Sequence, residues 1–151
     1  MKKTVTVIPA PPFTQEELIT PQGHMNKLHA DLAYWQRELR LDGVEIELRW
    51  LEFGDCKDEM VVGKFFSFSP AHRFQIGIAP DDLREFDAIG MFNTDNEVIL
   101  VHELLHILDC RWTENSDVED AFQNEAIKYH HEIALDTVAE ALVRARRGMT
   151  R

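Results

Sequence analysis

Cysteine is scarce in this chain: Cys56 and Cys110 are the only two. They form no CxxC pair, so neither a disulfide framework nor a cysteine-based zinc site is available. Both read as reduced thiols, which fits a cytoplasmic protein. Long apolar runs are also missing. Stretches such as "VILV" (98–101) are far too short to span a bilayer. The opening "MKKTVTVIPAPPF" has a basic start without the apolar run of a signal peptide. Basic residues are outnumbered, 16 against 27 acids, for a formal net charge of -11. Such a surface repels phosphate backbones, so neither nucleic acid nor membrane is expected as a partner. With six prolines and seven glycines in 151 residues, no long stretch has a disordered composition. The length suits one domain spanning 1–151, with residues 1–23 as a peripheral extension.

What is present is a clear change of period along the chain. "TVTVI" (4–8) reads as a short strand, broken by "PAPPF". Residues 24–40 place Met25, Leu28, Leu32, Trp35 and Leu39 at helical spacing, giving a helix with one covering face. "LDG" (41–43) ends it, with Gly43 near the C-cap position. "VEIELRWL" (44–51) alternates Val44, Ile46, Leu48 and Trp50 with charged residues, the pattern of a half-buried strand. Residues 60–68 and 73–79 read as two more strands, most simply antiparallel. Residues 80–93 read as irregular. Thr94 and Glu97 have capping-box spacing and open a helix apolar nearly all round, hence central and buried. Ser116 and Glu119 repeat the box ahead of a helical pattern that continues to about Arg147. The expected fold class is α+β: a small mixed sheet, a covering N-terminal helix, a central helix and a long C-terminal helix. The tail cations Arg144, Arg146, Arg147 and Arg151 suit a helix C-terminus, where the dipole favours positive charge. A docking patch for an acidic partner is the alternative.

The central helix carries "VHELLHIL" (101–108). His102 and His106, one turn apart on one face, can converge on a single ion. Glu103 is turned about 100° away around the axis. It is poorly placed as a ligand but able to reach a water beside the ion, which is the content of the HExxH pattern. The bland alternative is a pair of buried histidines satisfied by backbone or carboxylate partners. A helix this apolar rarely holds His, Glu and His in its middle without compensation, so the metal reading is preferred.

A catalytic zinc takes three protein ligands and keeps one open position. The metzincin continuation would need Gly at 109 and His or Asp at 112; Asp109 and Trp112 stand there instead. The remaining candidates on the last helix are Glu125, His130, His131, Glu132 and Asp136. At about 100° per residue, Glu125, Glu132 and Asp136 share a face, while His130 points nearly opposite. Glu125 and Glu132 lie about 10 Å apart along the axis, so both cannot bind one ion. Glu132 is favoured, because Asp136 one turn on can hold the far nitrogen of a ligating histidine. Glu125 has Tyr129 in that place. An ordinary salt bridge or core contact explains Asp136 and Tyr129 equally well.

"HELLH" followed by "HHEIALDTVAEALV" (130–143) resembles the compact glutamate-zincin metallopeptidases, including the phage-associated and ImmA/IrrE-like members. The resemblance covers about 40 residues and implies a zincin-like fold with zinc on His102, His106 and Glu132. Glu-x-x-x-Asp around the third ligand matches Glu132 and Asp136. "NEAI" (124–127) is similar to the thermolysin-like version, but Tyr129 stands where that pattern has Asp. By the same resemblance Glu103 is the general base, and an extended protein or peptide substrate is added to a free sheet edge. Strand 73–79, directly before the active segment, is the expected edge. A second stabiliser for the developing oxyanion is also expected, from among His72, Tyr129, His130 and His131. The function so implied is zinc-dependent hydrolysis of peptide bonds inside the cell. The alternatives are a non-catalytic zincin-fold regulatory module and a metal-dependent hydrolase of other substrates.

Overall fold

The computed structural model describes residues 13–14, 16, 18, 20–56, 62–68, 73–80, 95–113 and 125–148. The expected strand at 4–8 and the Ser116 and Glu119 box lie outside them, as do residues 81–94. Helix α1 spans Pro21–Glu38, strand β1 Glu45–Trp50 and the short helix α2 Phe53–Cys56. Strands β2 and β3 span Gly63–Phe68 and Arg73–Ile78. Helices α3 and α4 span Asn96–Thr113 and Glu125–Arg146. The described elements form a mixed α+β fold, as the change of period implies. No helix among the described residues is long and apolar enough to cross a membrane.

Helix α1 begins three residues earlier than the apolar spacing indicates. Thr20 is the N-cap, its Oγ1 accepting from Gly23 N at 3.0 Å, and Pro21 fills the first helical position. A Thr-Pro start supplies an acceptor for one orphan amide and removes another donor. The helix also stops earlier. Leu39 is the C-cap and Arg40, not Gly43, takes the left-handed conformation with φ 56°. Arg40 N donates to Arg37 O (3.2 Å) and Leu41 N to Gln36 O (2.7 Å), the two bonds of a Schellman turn. Leu41 is fully buried behind it. Burying a leucine contributes about 2 kcal/mol, enough to hold a non-glycine residue in a conformation costing about 1 kcal/mol.

The sheet order is β1-β3-β2. β1 runs parallel to β3 and β2 antiparallel to it, with Leu48 opposite Ile76 and Phe65 opposite Ile76. This corrects the expectation that strand 73–79 is an edge: β3 is the central strand, and Phe74, Ile76 and Ile78 are all buried. Every residue from Arg73 to Ile78 is paired with β1 on one side and β2 on the other, so the β3 backbone is used in both directions. Among the described residues, the outer edge nearest α3 belongs to β2.

Helix α3 packs against β2, β3, α1 and α4. Val98, Ile99, Leu100, Val101, Leu104 and Ile107 are all buried, so its apolar girth is used on every side. Its N-terminus also differs from the expected box. Asp95 Oδ1 accepts from Glu97 N at 3.0 Å; Thr94 lies outside the described residues. The Glu97 side chain is taken up by donors from α1 and the end of α4. It is buried, and accepts from Trp35 Nε1 (3.0 Å), Arg146 Nη1 and Arg147 Nη2 (2.7 Å). Arg146 also donates to buried Asp31 at 2.8 Å, and Arg147 to Asp95 at 2.6 Å. Two of the tail cations therefore pin the end of α4 to α1 and to the start of α3. Arg146 also stands in the last turn of α4, as the helix-terminus reading expects. Arg144 pairs with Glu140 on its own helix, and Arg151 lies outside the described residues.

Candidate metal centre

The site is built where the middle of α3 meets the first half of α4. His102 Nε2 lies 3.0 Å from His106 Nε2 and 3.1 Å from Glu132 Oε2; His106 Nε2 lies 3.3 Å from the same oxygen. Three donor atoms thus form a near-equilateral triangle. Bonds of about 2.0–2.1 Å meeting at tetrahedral angles put donors about 3.3 Å apart. Two imidazole nitrogens and a carboxylate oxygen at these separations fit one small divalent ion, and this trio could hold it. His102 is 9% exposed, while Glu132 is exposed on the α4 side, so the group opens toward solvent on one flank.

Asp136, one turn beyond Glu132, accepts from His102 Nδ1 at 2.7 Å. A carboxylate can only accept, so Nδ1 carries a proton and Nε2 is the nitrogen left to face the trio. Burial disfavours charge on His102, but hydrogen bonds with Asp136 and Glu132 outweigh it and hold its pKa at about 10. The same bonds with His102 and His106 hold the Glu132 carboxyl far below the usual carboxylate range, against the opposing pull of burial. These two shifts are one interaction seen from both sides.

Glu103, on the neighbouring face of α3, is 6% exposed. Burial pushes its carboxyl up to about 7. Charge on His106 and His102 draws it down, and the carboxylates of Glu132 and Asp136 push it up. It is therefore within electrostatic reach of the whole trio without belonging to it. Helical periodicity alone anticipated that displacement.

The structure sorts the other candidates. His130 and Tyr129 are exposed, their rings 5.9 Å apart on the outer side of α4. His131 turns inward: its ring centre lies 6.3 Å from that of His106, and Nε2 lies 2.5 Å from Asp109 Oδ2. Asp109, the residue that breaks the metzincin pattern, thus faces α4 at the rim of the site. Glu125 opens α4, and its side chain lies outside the described residues, as does His72.

Two contacts from β2 complete the walls. The Phe65 ring stacks on His106, with centres 5.3 Å apart and planes at 20°. Gly63 runs so close to α3 that an added Cβ would lie 2.6 Å from Glu103 Oε1 and 2.6 Å from Ile99 Cγ2. Neither residue is marked by the pattern reading of strand 60–68. The one signal was a glycine inside a strand, which often reports a close approach.

No match was found among protein-family models, curated proteins or solved structures. The site is therefore judged on its own geometry.

Proposed function

We propose that this chain is a zinc-dependent peptide hydrolase of the glutamate-zincin kind. The single observation behind it is the 3.0–3.3 Å triangle of His102, His106 and Glu132 with buried Glu103 at its side. Zinc is the preferred ion because two imidazoles and one carboxylate leave a tetrahedral site one position short, the arrangement of catalytic zinc. Bound there, the ion would supply Lewis acidity toward a carbonyl and acidify water at neutral pH.

The chain's own residues divide the remaining work. Asp136 fixes the tautomer and direction of His102. Phe65 limits rotation of the His106 ring from the sheet side. Glu103 takes a proton from the attacking water and returns it to the departing amine. His131, oriented by Asp109, is better placed than Tyr129 or His130 to donate a hydrogen bond to a developing oxyanion. An extended substrate would add to the sheet edge at β2, which takes over the role first given to strand 73–79.

The experiment that separates hydrolysis from mere metal holding is Glu103→Gln, assayed on a fluorogenic peptide library. Zinc content should stay at the wild-type level while turnover falls about 10²–10⁴-fold, the usual contribution of a general base. Turnover unchanged in this variant would remove Glu103 from the mechanism.

A further inference from the structure

Among the described residues an added Cβ would collide at two glycines, Gly77, where it would meet the Leu51 side chain at 2.2 Å, and Gly63; of the two, Gly63 is the one that faces Glu103. Gly43, Gly54 and Gly148 have open space where a Cβ would be. At Gly63 that atom would lie 2.6 Å from Glu103 Oε1, 3.1 Å from Glu103 Cγ and 2.6 Å from Ile99 Cγ2. Real Cβ contacts at 2.6 Å do not occur, so a side chain here must displace something. The strand cannot simply retreat. β2 is paired along its length with β3, from Gly63 opposite Ile78 to Phe68 opposite Arg73, and Ala79 N donates to Val62 O at 2.8 Å. Helix α3 cannot retreat either, since its opposite sides are packed on α1 and α4. Of the two groups in contact, Glu103 ends in a flexible carboxylate and Ile99 is a buried branched side chain. The carboxylate is the group that can yield.

We propose that Gly63 is the positioning residue for Glu103. Its bare Cα lets the β2 backbone lie against the carboxylate and form the wall that keeps Glu103 beside the histidines. The role of Glu103 as base rests on the function proposed above; the contact itself does not, and the two are tested separately.

The contact is tested by a thermal cycle that needs no substrate. Gly63→Ala should lower the melting temperature of the wild-type chain by about 5 °C, as overpacking of a tight site does. With Ile99→Ala present in both chains to remove the other 2.6 Å contact, the same change should cost less than half as much in a Glu103→Ala background as beside Glu103. Equal losses in both backgrounds would overturn the proposal. Should Gly63→Ala alone fail to fold, the Ile99→Ala chains still carry the comparison.

The functional half is read on the fluorogenic peptide library and on cobalt-substituted protein. Gly63→Ala should lower kcat about 100-fold with KM within twofold, the cost of misplacing a reacting group by about an ångström. Its cobalt absorption spectrum should match wild type, since no ligand is touched. An unchanged kcat, or a cobalt spectrum altered along with it, would overturn the proposal by showing either no effect or general damage to the site. A wild-type chain that binds zinc yet cleaves no peptide in the library would instead contradict the peptidase reading, leaving the thermal cycle to decide the contact.

Discussion

At Asp136 the Oδ1 atom lies 2.7 Å from His102 Nδ1, on the side of the ring away from the other donors. This residue is not one of the three donors, yet it would tune an ion held by them, because it fixes a proton on the far nitrogen of His102. Asp136→Asn should weaken zinc binding about 10–100-fold without abolishing it, measured by competition with a zinc-sensitive dye. Affinity equal to wild type would reduce the pair to an ordinary salt bridge. At this scale much of the site was readable from spacing. His102, His106 and Glu103 follow from one turn of one helix, and Glu132 follows from sharing a helical face with Asp136. Asp109, Phe65 and Gly63 were not readable as site residues. Each matters through a partner on another element, and periodicity within one element carries no information about which element it will meet.

The helices show two kinds of terminal device, one local and one not. At the end of α1, Arg40 occupies a left-handed position usually given to glycine, held by the burial of Leu41. Arg40→Gly should therefore raise stability by about 0.5–1 kcal/mol in urea titration; a loss would mean that the Arg40 side chain contributes more than its backbone costs. At the start of α3, burial opposes charge on Glu97, but hydrogen bonds from Arg147 and Trp35 and the nearby Arg146 hold its pKa below the usual value. A carboxylate with a depressed folded pKa adds stability that is fully present above its unfolded value near 4.3 and is lost as pH falls through the folded one. Glu97→Gln should then cost about 3 kcal/mol at pH 7, as removing one partner of a buried pair does. The cost should shrink as pH falls below about 4, seen as a flatter acid limb in the stability-pH curve. A pH-independent cost would assign the residue a packing role only. The sequence pattern located both helices, but the C-cap of α1 is Leu39, where Gly43 was expected. Thr94 and Glu97 have capping-box spacing, but a buried cluster of Trp35, Arg146 and Arg147 competes for the carboxylate more strongly than one backbone amide can. Strand order was also hidden. Alternation marks which residues face the core, and it is silent on whether β3 lies between its neighbours or outside them.

Across the whole molecule, α4 is fastened to α3 at two places: Glu132 and Asp136 near one end, Arg146 and Arg147 at the other. The site is therefore a junction between two helices, and holding an ion there couples metal binding to the packing of α4. In the proposed site one dication is shared by His102, His106 and Glu132. Elemental analysis of the purified chain tests it most directly. One zinc per chain is expected in the wild type and in Glu125→Ala, and almost none in Glu132→Ala. Zinc absent from the wild type, or retained in full by Glu132→Ala, would contradict it.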